Sequence, residues 1–262
     1  MKKYNIATFA LCALIAASAA FASGALDKDT LLVGTESTYP PFEFRTPENE
    51  LVGYDIDIVN IIAERLGKKI EWVDMSFDGL IPALMTHKID IIAACMRASP
   101  ERKKKIDFSE VTNPPNPSAF FVLKGNEKAS AADFEGKTIA VQIGTLQYNY
   151  AIKMKDVTVK TYQRIDDCMR EVLYGRVDAT LLEGNVGWDY CVKSKDVAGK
   201  VVPCAVTDTV GLKEGNALGI AKDEPELLAA IDKVIIDIKA TGEFQTLREK
   251  WHLGDWLKEI QQ

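Results

Sequence analysis

The chain is poor in the residues from which metal centres and nucleophilic sites are built. Histidine occurs only twice, at His87 and His252, and neither stands near a cysteine cluster. A His-based metal site or catalytic triad therefore has little material to draw on. Five cysteines are present without a CxxC pair, and the four that follow Cys12 are spaced by 73, 23 and 13 residues, which argues against zinc-ribbon or thioredoxin chemistry. Excess positive charge is missing as well. The formal net charge is −6, so no basic field advertises nucleic acid or an anionic membrane. No hydrophobic run reaches spanning length: the stretch from about Ile6 to Ile15 falls short of the ~20 residues a transmembrane helix needs.

That short apolar stretch reads instead as an export signal. Lys2 and Lys3 precede it, and Ala20-Phe21-Ala22 follows in a small-x-small pattern, so residues 1–22 are expected to be a signal peptide cleaved after Ala22. Cys12 lies inside the apolar region behind Leu11, where a lipid-anchor site would need a small residue. The expected mature protein is soluble and periplasmic. At about 240 residues it is long enough for one or two compact domains. Cys95, Cys168, Cys191 and Cys204 would then meet an oxidising compartment; three full pairings are open, and buried free thiols are open too.

Short apolar runs alternate with amphipathic stretches along the remainder, the pattern of βα units. Strands are expected at Leu31–Gly34, Ile70–Met75, Ile89–Ala94, Thr138–Val141, Val157–Thr161, Val177–Leu182 and Ala217–Ala221. Helices are expected at Asp55–Leu66, closed by Gly67, and at Phe77–His87, Gly144–Met154, Ile165–Tyr174 and Glu224–Ala240. Further helical turns should carry Phe244, Leu247, Trp251 and Trp256. Two breaks interrupt this order: Asn113-Pro114-Pro115-Asn116-Pro117, and the polar gap Asp208 to Gly215. Three prolines cannot sit in a helix or a central strand. Two breaks fit a chain that leaves one lobe, builds a second and returns; they also fit one continuous α/β sheet with a Pro-rich surface loop.

Five blocks point to a family. Gly34-Thr35-Glu36-Ser37-Thr38-Tyr39-Pro40-Pro41-Phe42-Glu43-Phe44 with Gly53-Tyr54-Asp55-Ile56-Asp57 is followed in register by Phe77-Asp78-Gly79-Leu80-Ile81-Pro82-Ala83-Leu84. Next come Ser99-Pro100-Glu101-Arg102, Ile106-Asp107-Phe108-Ser109 and Gly175-Arg176-Val177-Asp178-Ala179. Together they resemble the periplasmic polar amino-acid-binding proteins of ABC importers, the family-3 bacterial solute-binding proteins, over essentially the whole mature chain. The resemblance implies an α/β, two-lobed periplasmic-binding-protein fold of type II. In that fold two hinge strands join the lobes, and the ligand cleft lies between them. Lobe 1 would be 23–115 with 215–262, and lobe 2 would be 116–214. The implied function is capture of a free amino acid or close derivative and its delivery to ABC permease subunits in the inner membrane. The protein would be a monomer, with no cofactor, metal or nucleic acid.

A zwitterionic ligand needs a cation for its carboxylate and an anion for its ammonium. The resemblance assigns the first task to Arg102, whose guanidinium fork matches a carboxylate; without it Arg102 would be one more charge in Arg102-Lys103-Lys104-Lys105. Thr145, after Gly144 at a helix start, would add donors from the second lobe, although Leu146 stands where the family has a second hydroxyl. Glu183 would meet the ammonium at a position where the family carries Asp, with helix capping as its bland alternative. Glu36, Tyr39 and Phe77 would clamp the ligand side chain, and both aromatics could equally be core. Cys95 and Arg97 replace small and hydroxyl residues. Arg97 would pair with Glu36 or recognise an acidic group on the ligand. Two other functions are compatible with the same fold. One is a cyclohexadienyl dehydratase-like enzyme using Glu183 as an acid; the other is a soluble sensor serving a chemoreceptor.

Overall fold

A computed structural model describes residues 24–207 and 214–259. The expected leader, residues 1–22, lies outside them. In chain order the first part contains β1 (Thr30–Thr35), β2 (Thr38–Tyr39), β3 (Glu43–Arg45), β4 (Leu51–Val52), α1 (Tyr54–Leu66) and β5 (Lys69–Asp74). It continues with α2 (Phe77–Met85), β6 (Ile91–Ile92), α3 (Pro100–Lys103) and β7 (Asp107–Phe108). The middle part contains β8 (Ser118–Leu123), β9 (Thr138–Gln142), α4 (Leu146–Ala151), β10 (Thr158–Tyr162), α5 (Ile165–Leu173), β11 (Ala179–Glu183), α6 (Gly184–Lys193) and β12 (Val201–Thr207). The last part returns with β13 (Gly219–Ile220), α7 (Pro225–Ala240), α8 (Glu243–Lys250) and α9 (Asp255–Glu259).

These elements form two five-stranded sheets of matching plan, ordered β5-β1-β6-β13-β7 and β10-β9-β11-β8-β12. In each, the strands fed by helical crossovers run in one direction, and only the strand on which the chain enters from the other sheet, β8 or β13, runs antiparallel to its neighbours. The alternative of one continuous sheet is not what the chain adopts. It crosses between the sheets once after β7 and again between β12 and β13. The crossing segments pair with each other: Asn216 N donates to Asn113 O at 2.9 Å, and Thr112 N donates to Asn216 O at 2.9 Å. The proline run keeps this stretch out of both sheets, since three of its residues offer no backbone donor.

Periodicity explains the helices that cover the sheets. α1 buries Ile58, Val59 and Ile62 on one stripe and ends at Gly67 in the left-handed conformation, the usual C-terminal stop. α5 likewise buries Ile165, Cys168, Met169 and Val172. The segment 89–94 is buried throughout, yet only Ile91 and Ile92 form strand, because the chain turns away into the cleft immediately afterwards. Cys95, Cys168, Cys191 and Cys204 are separate thiols. Among the described residues no helix is long and apolar enough to cross a membrane.

The strand ends decide where the site lies. β1 delivers Glu36, β5 ends on Asp74, β6 leads into Ala94–Arg97, β9 ends on Gln142 and β11 on Glu183. All five face the gap between the two sheets at carboxyl ends of strands, the location at which open α/β sheets bind ligands.

Candidate functional site

Between the sheets lies a cavity of about 400 Å³, mouth included. The first part of the chain contributes Tyr39, Phe77, Cys95, Arg97 and Arg102 to its wall, and the middle part contributes Gln142, Thr145, Leu146 and Glu183. Eight of the nine residues singled out in the sequence therefore meet in one place. Glu36 does not line it.

Arg102 owes its position to α3. Ser99 caps that helix by accepting from Arg102 N at 3.3 Å, and Pro100 supplies the first helical residue, both favoured choices at a helix start. The guanidinium, on a residue only 9% exposed, donates from Nη1 to Arg97 O at 2.9 Å and from Nη2 to Gly144 O at 3.0 Å. It also lies over the Phe77 ring, 5.1 Å from the centroid. Burial, helped by the charge on Arg97, pulls its pKa down to about 10, so it is still a cation at neutral pH. Among the described residues it has no carboxylate partner.

Arg97 is also buried, at 8% exposure, and donates from Nη2 to Asn116 O at 3.0 Å. Cys95 reaches the wall by adopting φ 44°. Its N–H donates to Asp55 Oδ2 at 2.8 Å, and its sulfur accepts from Asn216 Nδ2 at 2.9 Å. Asp55 is fully enclosed, and burial raises its pKa to about 7.

On the opposite wall Glu183 closes β11 and caps α6. Oε2 accepts from Val186 N at 3.1 Å; Oε1 accepts from Asn185 Nδ2 at 2.9 Å and from Asn116 Nδ2. Burial nevertheless lifts its pKa to about 7 against those hydrogen bonds. Thr145 caps α4, accepting from Tyr148 N at 3.1 Å and donating to Gln142 O at 2.7 Å. Leu146 adds only apolar surface there. Gln142 Oε1 is buried without a partner among the described residues.

Glu36 sits behind the cavity at 1% exposure. It accepts from Thr38 Oγ1 at 2.8 and 3.0 Å, from Gln142 Nε2 at 2.9 Å and from Arg164 Nη1 at 2.9 Å. The pairing with Arg97 that the sequence allowed is absent; Arg164 occupies that role, and it also reaches Asp74 at 3.0 Å. Because Arg164 and Gln142 come from the middle part of the chain, this network joins the two sheets across the cleft. Tyr190 OH to Thr38 O, at 2.9 Å, and Ile165 N to Thr38 Oγ1, at 3.1 Å, do the same. The cleft is closed.

The match to known proteins agrees with this geometry. Residues 31–254 fit the model of bacterial extracellular solute-binding proteins, family 3. The chain belongs to that family. Among its relatives the arginine-binding extracellular protein ArtP of Bacillus subtilis (strain 168) is 32% identical over 97% of this chain and 100% of its own length. A solved ancestral arginine-binding protein bound to arginine is 36% identical, with a TM-score of 0.79 over 86% of this solute-binding protein and 98% of the other. The ancestral amino acid-binding protein AncCDT-1, a precursor of cyclohexadienyl dehydratase, is 33% identical with a TM-score of 0.76 over 85% and 95% of the two chains.

Among the participants not singled out in the sequence are Gln142, Gln147, Asn116, Asn185, Asn216 and Arg164. Gln142 carried a usable signal, a polar residue ending the apolar strand Ile139-Ala140-Val141. Asn116 lies in the proline break and Asn216 directly after the polar gap, where polarity is unremarkable. Arg164 joins the site only through closure of the cleft, which no local pattern encodes.

Proposed function

We propose that this member of the family captures a free amino acid, or a close derivative, in the interlobe cleft and passes it to an ABC importer. The observation that carries the reading is the cavity in the bridged cleft, with Arg102 on one wall and Glu183 on the other. A buried guanidinium without an anion is costly, and a ligand carboxylate removes that cost with two charge-assisted hydrogen bonds. The amides of Thr145 and Leu146 at the start of α4 supply donors from the opposite lobe. Ligand bound by both walls favours the closed form, which gives closure a physical cause. Glu183, together with the unpartnered Gln142 Oε1, receives the ammonium; Tyr39 and Phe77 flank the side chain.

In this reading residues 1–22 direct export to the periplasm, with cleavage after Ala22, and the mature monomer docks on permease subunits in the inner membrane. Lobe 1 comprises 23–115 with the return segment from 215, and lobe 2 comprises 116–214. Binding without catalysis is the assigned activity. One observation favours a second reading: a carboxyl with a pKa near 7, as Glu183 has, is suited to protonate a leaving hydroxyl, and AncCDT-1 is described as a precursor of a dehydratase. Calorimetric titration with the amino acids, alongside an assay with prephenate and arogenate, separates the two. Amino-acid binding without turnover is expected; turnover abolished by Glu183→Gln would replace the binding reading.

A further inference from the structure

The charges on the cavity wall are unequal. Two guanidiniums line it, Arg97 and Arg102, both more than nine-tenths buried. Arg102 is already fixed by the carbonyls of Arg97 and Gly144 and by the Phe77 ring, so its charge is held in place but not neutralised. Among the described residues the Arg97 guanidinium makes one hydrogen bond, from Nη2 to Asn116 O, and its Nε and Nη1 have no partner. Against these two cations the described lining offers one carboxylate. Glu183 feels the charge of Arg97 without forming an ion pair with it, and its oxygens already accept three hydrogen bonds.

Glu36, expected from the sequence to clamp the ligand side chain, is not available as an anion for a basic one. Glu36 stands outside the cavity, satisfied by Thr38, Gln142 and Arg164. A guanidinium or ammonium side chain entering this cavity would therefore meet Arg97 with Glu183 as the one carboxylate of the described lining, and the ligand's own ammonium claims that group. Like charges brought together at low dielectric disfavour binding strongly. An acidic side chain meets the reverse situation, since it supplies the anion that Arg97 lacks.

We propose that the ligand is an amino acid with an acidic side chain, its α-carboxylate on Arg102 and its side-chain carboxylate on Arg97. This rests on the amino-acid reading above and narrows it. Two carboxylates and one ammonium on the ligand answer two guanidiniums and one carboxylate on the wall, group for group. The ammonium falls to Glu183 and Gln142. The ligand class thus differs from that in the names of the arginine-binding relatives, and Arg97 is the specificity-determining residue.

Isothermal titration of the wild-type chain with L-glutamate, L-aspartate, L-glutamine, L-arginine, L-lysine and glutarate tests this. L-glutamate or L-aspartate is expected to bind about 100-fold more tightly than L-arginine or L-lysine, the scale of one buried charge contact. Arg97→Gln should weaken the acidic ligand about 10- to 100-fold and move the preference toward L-glutamine, whereas Arg97→Lys should retain acidic preference at lower affinity. Tightest binding of L-arginine, L-lysine or a neutral amino acid would overturn the acidic assignment and leave the amino-acid reading intact. Glutarate equal to L-glutamate would uphold the two-carboxylate match and overturn the amino-acid reading. Binding of none of these would overturn both. If Arg97→Gln does not fold, the wild-type ranking decides alone.

Discussion

Arg102 couples the cavity wall to the contact between the lobes, because the same guanidinium that lines the cavity donates to Gly144 O across the cleft. Removing it would take away the proposed carboxylate anchor and an interlobe bond together. Arg102→Ala should raise the dissociation constant by an amount equivalent to about 3–5 kcal/mol, the usual cost of losing one member of a desolvated pair. Titration calorimetry reads this directly, and wild-type affinity in the variant would remove Arg102 from the site. Gly144 itself must be glycine for two reasons: its φ is +78°, and a Cβ there would lie 3.0 Å from Asp78 Cβ in the facing wall.

Asp55 makes a separate prediction about pH. Its folded pKa, about 7, is raised from 3.8 chiefly by burial, with the Cys95 amide opposing. A raised folded pKa means that the native state binds the proton more tightly. The associated stability is therefore complete below about pH 4 and is lost as pH rises through about 7. Asp55→Asn keeps an acceptor for Cys95 N–H and removes the titration. The variant should gain on wild type by about 2–3 kcal/mol between pH 5 and pH 8 in urea unfolding. A difference independent of pH would show that Asp55 does not titrate in this window.

At the scale of elements, the core was legible and the closed cleft was not. The helical period over 55–66 and the Gly67 stop correspond to α1 at Tyr54–Leu66, because propensity, amphipathic spacing and a cap all agree there. The strand expected over 89–94 shrank to Ile91–Ile92, since burial alone cannot tell a strand from a buried turn. The small sheet β2-β3-β4 went unread for a related reason, its strands being two or three residues long. In the site, Arg102 and Glu183 were legible through the blocks around them. The fate of Glu36 depended on Arg164, 128 residues away, and a contact at that separation leaves no periodic trace.

That contact carries the element-scale prediction. Arg164 ties the start of α5 to Glu36 and to Asp74 at the end of β5, while touching no residue of the cavity wall except through Glu36 and Gln142. Arg164→Gln should leave the wall in place and weaken closure. We expect ligand affinity to fall roughly 5- to 30-fold, corresponding to about 1–2 kcal/mol for a partly buried pair. Small-angle scattering should show a larger radius of gyration for the unliganded variant. Unchanged affinity with unchanged dimensions would mean that the network is incidental to closure.

The two lobes are not tied by their crossings alone. After α7 and α8, which pack with α1 on the first sheet, the chain reaches over and lays α9 against α6. Trp256, with no exposed surface, fits against the backbone at Gly184, where a Cβ would come within 1.9 Å of the indole. Its Nε1 donates to Asn116 Oδ1 at 3.3 Å, and Gly254 N donates to Asn185 Oδ1 at 2.9 Å. Asn116 and Asn185 are the two amides that hold Glu183. The terminal segment thus braces the wall of the cavity from behind, from a part of the chain whose other helices belong to the opposite lobe. Trp256→Ala should destabilise the protein by about 3–5 kcal/mol, the range for emptying a buried aromatic site, measured by urea unfolding. It should also lower ligand affinity with the wall residues themselves unchanged, because Asn116 and Asn185 lose the contacts that orient them. Trp256→Phe restores most of the buried volume without the indole donor. If stability returns in that variant while affinity stays low, the Asn116 hydrogen bond is what couples the C-terminal brace to the site; if both return together, packing alone accounts for it.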